Sequence, residues 1–376
     1  MVGGGRDAFI GDVHRMAMRL DGEIELVAGA LSSDSERSRL SGEELRLDPA
    51  RVYRDYQTMA AAEAQLPPAE RIDFVSVVTP NRTHVPVCRT FLEAGFHVVC
   101  EKPLGINLAE AVALRDVVRQ TGRIFALTHN YTGYPMVKQA RAMVRKGELG
   151  EIRKVVADYV QGWLGESIDQ DGNKQAVWRT DPEQAGPVGC LGDIGTHAES
   201  LARYITGLEI EQLCAEFTTF VEGRRLEDDA SLLLHYKGGA RGVLLASQVS
   251  TGEENALAIR IYGSKASLEW RQEEPNELIV KYPDAPRQIY RSGNDYLSET
   301  ARRFTRIPAG HPEGFIEAFA NIYREVARAI EAVAEGRAIP SDCDFPMIDD
   351  GVTGMAFLAT AMESAKAGGA WCSFHL

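Results

Sequence analysis

The sequence predicts an α/β fold in two parts: a doubly wound N-terminal domain on a parallel sheet, and a C-terminal α+β domain on a large open, mainly antiparallel sheet. Three observations lead there. Apolar runs alternate with helical patterns through residue 128, long alternating strands without intervening helices fill the middle, and two long helical patterns close the chain.

The first observation rests on named segments. Glu23 to Ala30, Phe74 to Val78, His97 to Cys100 and Ile124 to Leu127 read as strands buried on both faces, because nearly continuous apolar runs suit a parallel sheet. Between them, Ala8 to Leu20, Val85 to Ala94 and Leu108 to Gln120 carry apolar residues three and four apart, as helices packed on such a sheet do. Only Met1 and Val2 precede the first glycines, so the first strand is expected to be short.

After a helix around Met136 to Lys146 the apolar spacing changes to alternation. Glu151 to Val160 reads as a long strand, followed by Glu216 to Val221, Ala230 to Tyr236, Gly242 to Ser247, Leu257 to Tyr262 and Ala266 to Trp270. Lys237-Gly238-Gly239 and Gly263-Ser264-Lys265 supply turns. Pro312 to Glu335 and Ile348 to Ala367 are the closing helices, separated by a loop with Pro340 and Pro346. The expected domains are therefore 1–128 and 129–376, the closing helices packing back towards the first.

Composition narrows the function classes. The 376 residues exceed what one hydrophobic core usually serves, which favours two domains. Six cysteines are scattered without a C-x-x-C pair, against a zinc knuckle or disulfide framework and in favour of reduced thiols. A net charge of -13 with no basic cluster disfavours a nucleic-acid partner. No run of about 20 apolar residues could span a bilayer and no secretory pattern opens the sequence, so cytoplasmic work on a small molecule is expected.

Gly3, Gly4 and Gly5, then Ile10-Gly11 and a helix, read as a dinucleotide cradle in which glycines let backbone approach a pyrophosphate at a positive helix end. The spacing from Gly5 to Gly11 is longer than G-x-G-x-x-G. After the second strand stand Ser32, Ser33 and, further on, Arg37, a hydroxyl pair with a cation that suits a 2′-phosphate, although Asp34 beside them suits a ribose. The cofactor is thus NAD or NADP, leaning to NADP. Thr79, Asn81 and His84 follow the strand ending at Val78, where a helix N-terminus faces a cofactor or is simply capped.

Lys102 stands just beyond the strand ending at Cys100, at the edge that borders the ligand crevice in open α/β sheets; alone, such a lysine is usually a surface ion pair. Asp193 and His197 lie four apart at an expected helix start, so both project from one face, although a helix cap and a core histidine would leave the same pattern. Asn130, Tyr131, Trp178 and Arg179 offer an amide, aromatic faces and a cation suited to a polyhydroxylated ring, or to core packing and surface pairing. No further His or Cys stands at ligand spacing from Asp193 and His197, so no metal is expected.

Taken in order, Thr79-Pro80-Asn81 with His84, Glu101-Lys102-Pro103, and Asp193-Ile194-Gly195-Thr196-His197 resemble the Gfo/Idh/MocA oxidoreductases. Trp178-Arg179-Thr180-Asp181-Pro182 and Gly310-His311-Pro312-Glu313-Gly314 extend the resemblance over nearly the whole chain. It implies a Rossmann domain bearing NAD(P) and a C-terminal domain that binds a sugar, inositol or glycoside, with an open sheet that makes a dimer or tetramer. It also implies that Lys102 touches both the nicotinamide ribose and the reacting hydroxyl, that the Lys102–Pro103 peptide is cis, and that Ile10, Glu101, Pro103 and Asn130 belong to the cofactor set. The short first strand, the stretched glycine turn and Gly186-Pro187-Val188-Gly189 depart from the family pattern.

Hydride removal from a secondary alcohol requires the hydroxyl proton to leave. His197 is the expected base near neutral pH, Lys102 the group that stabilises developing alkoxide, and Asp193 the group that orients substrate or tunes the other two. The alternatives are a non-catalytic nucleotide- or sugar-binding regulator of the same fold, an oxidoreductase that swaps two sugars on a tightly held cofactor, and a dehydrogenase of imines or bilin-like substrates.

Overall fold

Four parallel strands, β1 (Val2–Gly3), β2 (Phe74–Val78), β3 (His97–Cys100) and β4 (Phe125–Leu127), form one sheet in that order in the computed structural model, which describes residues 1–376. Val75, Val77, Val98, Val99 and Ala126 are fully buried, as the continuous apolar runs require. The helices Phe9–Leu20, His84–Glu93 and Leu108–Thr121 occur where the spacing predicts them. The last is bounded by its own sequence: Asn107 accepts the Glu110 N–H at 2.9 Å, and Gly122 leaves the helix in the left-handed conformation.

One expected strand is corrected. Glu23 to Ala30 is irregular and meets the sheet through one isolated bridge, Val2 to Ala30, while Gly29 bridges Val52 outside it. Its neighbour β1 has two residues, so no longer ladder is available to it. These strands belong to a first compact unit, Met1–His129 with Phe319–Val352.

The second unit, Asn130–Ala318 with Thr353–Leu376, is built on nine strands. In chain order they are β5 (Ile152–Val160), β6 (Ile210–Thr218), β7 (Asp229–Tyr236), β8 (Arg241–Ser247), β9 (Ala256–Gly263), β10 (Ser267–Arg271), β11 (Glu277–Lys281), β12 (Gln288–Arg291) and β13 (Cys372–Ser373). Their order in the sheet is β12-β11-β10-β9-β5-β8-β7-β6-β13. Every neighbouring pair is antiparallel except β5 with β8, which is parallel.

Alternation sorts the faces. Val155, Ala157, Leu232, Leu244, Ile259 and Trp270 are buried on the side of the helices Pro135–Arg145 and Thr196–Thr206, while the other face exposes Leu233 at 48%, Tyr262 at 40% and Ile289 at 44%. The expected strand Glu216 to Val221 is displaced to β6. Asp228 causes this, because its carboxylate accepts the N–H groups of Phe220 and Val221 and draws them out of the ladder. No helix is long and apolar enough to cross a membrane.

Candidate active site

The glycine turn lies in the first unit. β1 ends at Gly3, whose φ of +77° is left-handed and which sits so close to β2 that a Cβ would stand 2.3 Å from Val78 O. The residues that lengthen the spacing form a turn of their own, closed by the Ala8 N–H on Gly5 O at 3.1 Å. Ile10 then lies in the first turn of the helix, and Gly11 still reaches Gly4, where a Cβ would come within 2.4 Å of Gly4 O. The close strand-to-helix approach of a dinucleotide cradle therefore survives the longer spacing.

Beyond that cradle, the Ser32 hydroxyl accepts the Asp34 N–H at 3.2 Å and Ser33 is exposed. Asp34 caps the helix Ser35–Glu44 through the Arg37 N–H at 2.7 Å. The Arg37 guanidinium donates to Asp7 Oδ2 at 2.7 Å and Arg6 O at 2.6 Å. The cation expected to meet a 2′-phosphate is already matched by a carboxylate.

At the end of β2 the Thr79 hydroxyl is buried without a partner, an orphaned atom that a bound ligand would satisfy. Asn81 nearby is buried. His84 has a different place from the one expected. It is fully buried, with Nδ1 2.7 Å from Pro103 O and Nε2 2.8 Å from Thr79 O, so it ties two loops together and both ring nitrogens face the protein. Burial lowers its pKa from 6.5, against the pull of the two carbonyls.

Glu101 also turns inward. Its Oε1 accepts the Thr128 hydroxyl and lies 2.9 Å from His14 Nε2; His14 Nδ1 is 2.6 Å from the Tyr323 hydroxyl, which is 2.8 Å from Ser76 Oγ. Burial works against ionisation of Glu101, but His14, Lys102 and Thr128 outweigh it and hold the carboxyl below its usual pKa. An ionised carboxylate only accepts, so His14 donates to it through Nε2. Lys102 follows directly, partly exposed, and its peptide bond to buried Pro103 is cis.

The second unit holds Asp193 and His197. The segment is not the regular helix start expected: Leu191–Gly195 forms a π turn that runs into the helix Thr196–Thr206. Such turns insert one residue into a helix and recur at functional sites. Asp193 does not cap it. Its Oδ2 accepts from Arg179 Nε at 3.0 Å and from Gln248 Nε2 at 2.9 Å. Arg179, read as a substrate contact, thus holds Asp193, reaches Gln175 Oε1 at 2.8 Å and stacks on Trp178 at 4.2 Å.

His197 is 7% exposed, and its ring meets Tyr131 edge-on with centroids 4.7 Å apart. The Tyr131 hydroxyl is 2.6 Å from that of Tyr159, which donates to Asn255 Oδ1 at 2.6 Å. Gln161 Nε2 donates to the same oxygen at 2.8 Å, and Trp163 Nε1 donates to Gln161 Oε1 at 2.9 Å. Burial, then Tyr131, drives the Tyr159 pKa well above 10, so it stays a hydroxyl. Asn130 Nδ2 is a second buried polar atom without a partner.

Tyr159, Gln161, Trp163, Gln248 and Asn255 escaped the sequence reading. Their signal is positional: β5 and β8 run parallel, so Tyr159, Gln161 and Gln248 leave the sheet at one edge, which a purely antiparallel reading conceals. Hydroxyls, amides and flat aromatic faces together match the polar rim and apolar faces of a polyhydroxylated ring.

Residues 1–129 match the model of the oxidoreductase family with an NAD-binding Rossmann fold, and residues 137–269 that of the GFO/IDH/MocA C-terminal domain. The uncharacterized oxidoreductase YfiI of Bacillus subtilis is 38% identical over all of this chain and 96% of its own length. An inositol dehydrogenase homolog of Azotobacter vinelandii, solved with NAD+, is 41% identical, with a TM-score of 0.96 over 100% of this chain and 96% of its own. Its complex with NADH and myo-inositol matches at a TM-score of 0.93, with 40% identity and the same coverage. An oxidoreductase of Sinorhizobium meliloti is 45% identical, with a TM-score of 0.90 over 99% of this chain and 98% of its own. Whole-length likeness, both family domains and the glycine cradle agree: this chain belongs to the GFO/IDH/MocA oxidoreductases, with their NAD-binding Rossmann fold.

Proposed function

We propose that this chain is a dehydrogenase of neutral cyclic polyols, inositols or sugars, that it uses NAD in preference to NADP, and that Lys102, Asp193 and His197 are its reactive groups. The observation that carries the reading is the setting of Asp193. Arg179 and Gln248 both grip its Oδ2, one turn before a histidine packed on Tyr131 in a wall of hydroxyls and amides. With Arg179 paired to Asp193, this wall favours an uncharged ring over a phosphorylated or carboxylated one. The myo-inositol held by the Azotobacter vinelandii relative supports the same substrate class.

Gly3, Gly4, Gly5, Ile10, Ser32, Ser33, Thr79, Asn81 and Asn130 would hold the dinucleotide, and the orphaned Thr79 hydroxyl and Asn130 amide suit polar groups of it. Glu101, Pro103 and His84 act behind them, as the brace under Lys102. The preference for NAD rests on Arg37, whose charge is met by Asp7, and on the NAD+ bound by the relative. When bound, the nicotinamide ring accepts or returns the hydride. His197 takes the hydroxyl proton, Lys102 stabilises the alkoxide as it develops, and Asp193 accepts a substrate hydroxyl and fixes the ring's orientation.

The first unit serves the cofactor, and the second serves the substrate and a homo-oligomer formed through the face that exposes Leu233, Tyr262 and Ile289. Light scattering on the purified protein is expected to give a dimer or tetramer; a monomer at micromolar concentration would sink that part. For the activity, formation of reduced nicotinamide is followed by absorbance with NAD+ and NADP+ over myo-inositol, glucose, methyl glucoside and related rings. NAD+ reduction with at least one of them is expected, and none with either cofactor would overturn the reading.

A further inference from the structure

A helix begins with backbone N–H groups that have no partner inside it. The helical run from Leu191 to Thr206 has no side-chain cap of its own. Its leading donors are taken from outside. Glu227 Oε1 accepts the N–H of Gly189 at 2.7 Å and of Leu191 at 3.2 Å, and Glu227 O accepts the N–H of Cys190, between them, at 3.1 Å. Three consecutive amides thus rest on one residue of the segment that leads into β7. Gly189 fits so closely against it that a Cβ there would lie 2.2 Å from Glu227 O.

Glu227 is 8% exposed, and burying a carboxyl is costly unless hydrogen bonds compensate. Burial pushes its pKa up to about 7, with the amide bonds pulling down and Asp228 pushing further up. The acidic groups around the capped turn are Asp228 and Asp229 on the glutamate's own segment and Asp193 on the helix; all three, with Glu227, raise the pKa of the Cys190 thiol after its burial. A position so unwelcoming to a carboxyl has another return: the cap ends two residues before Asp193 and precedes a π turn, a geometry that a regular helix does not enforce by itself.

We propose that Glu227 is a positioning residue for the reaction, clamping the start of this helix so that the π turn presents Asp193, and the helix presents His197, in reactive geometry. This rests on Asp193 and His197 being the reactive groups. The clamp depends on acceptor oxygens and not on charge. A carboxyl protonated on one oxygen still accepts at the other, and a glutamine offers the same carbonyl.

The test compares Glu227→Ala and Glu227→Gln, using whichever of myo-inositol, glucose or methyl glucoside reduces NAD+ fastest. Glu227→Ala is expected to lower kcat at least tenfold with KM for NAD+ within twofold of wild type, and Glu227→Gln to recover kcat to within about threefold, both with wild-type circular dichroism. A folded Glu227→Ala with kcat within twofold of wild type overturns the proposal, and so does a Glu227→Gln as impaired as the alanine. If Glu227→Ala does not fold, Glu227→Asp carries the test: its carboxyl is drawn back by one methylene, so a fivefold or greater loss of kcat supports the clamp and an unchanged kcat overturns it. Asp193→Asn and His197→Ala are assayed alongside. If they keep activity, the assignment of the reactive groups fails on its own.

Discussion

The two units fix their candidate reactive side chains by opposite means. In the first, the residue before Lys102, Glu101, is held in a chain of buried polar groups, Ser76, Tyr323, His14, Glu101 and Thr128, drawn from two helices and the three strand segments beside them and sealed from solvent. In the second, Asp193 sits in a half-open array, gripped by Arg179 and Gln248 whose own surroundings reach the surface at Trp163 and Trp178. A sealed network stores its value in stability, because each member left alone is a buried unsatisfied group. An open one can exchange its partners for substrate hydroxyls, and its value shows in catalysis.

The sharpest break of the comparison is at the reactive groups themselves. Lys102→Ala should lower kcat on the order of 10³-fold while cofactor binding, read by nicotinamide fluorescence, persists. His197→Ala should cost roughly 10²- to 10⁴-fold; a variant of either residue that keeps most of its activity ends the assignment. Next comes Arg179→Met, which removes a charge-assisted bond of about 1.5–3 kcal/mol and should lower kcat about tenfold or more with thermal unfolding little changed. An Arg179→Met protein with wild-type kcat would show Asp193 to be held well enough by Gln248 alone.

His14→Leu is the counterpart in the sealed network. It strips Glu101 and Tyr323 of their partner and should cost about 3–5 kcal/mol in urea unfolding. Asn255→Ala, in the open array, should cost only about 1 kcal/mol and raise the KM for the polyol instead. Equal stability losses in the two variants would erase the distinction.

The effects on pH dependence build up only across a pH window, and they have opposite signs. His97 accepts the Ile124 N–H at 2.8 Å through Nδ1, and burial, then Arg123, lowers its pKa to about 4. Between about pH 4 and 6.5 the unfolded chain binds that proton and the folded chain does not, so this contribution falls as pH drops through the window, by on the order of 3 kcal/mol at most. Glu227, raised to about 7, is protonated when folded and ionised when unfolded between about pH 4.5 and 7, so its contribution falls as pH rises. His97→Gln should flatten the acid side of a stability profile and Glu227→Gln should flatten the neutral side. Profiles unchanged by both variants would refute these assignments.

Much of this was legible in residues that carry local signals. Apolar runs mark β2 and β3 to the residue, and Glu101-Lys102-Pro103 and the Asp193 motif stand out in the sequence by themselves. What stayed hidden depends on distant partners. His84 and Glu101 look like cofactor contacts in sequence because they stand beside residues that read as such, yet their side chains answer to Pro103, Thr79 and His14. Arg37 reads as a phosphate partner until Asp7 is found beside it. Glu23 to Ala30 has the composition of a strand but too little partner strand to pair with. Nothing in residues 219–228 announces a clamp on residues 189–191, since the link spans the interval between them in the chain.

The parallel pairing of β5 with β8 has a further consequence for how such a protein diversifies. Gln161, Trp163 and Gln248 stand just beyond the ends of β5 and β8, whereas Asp193 and His197 ride on a separately capped helix. Exchanging Gln161 or Trp163, neither of which bonds Asp193 in the way Gln248 does, would retune which hydroxyls of a ring are recognised while the helix keeps Asp193 and His197 in place. If the proposed roles hold, a library confined to positions 161, 163 and 255 is the economical place to look for new substrates.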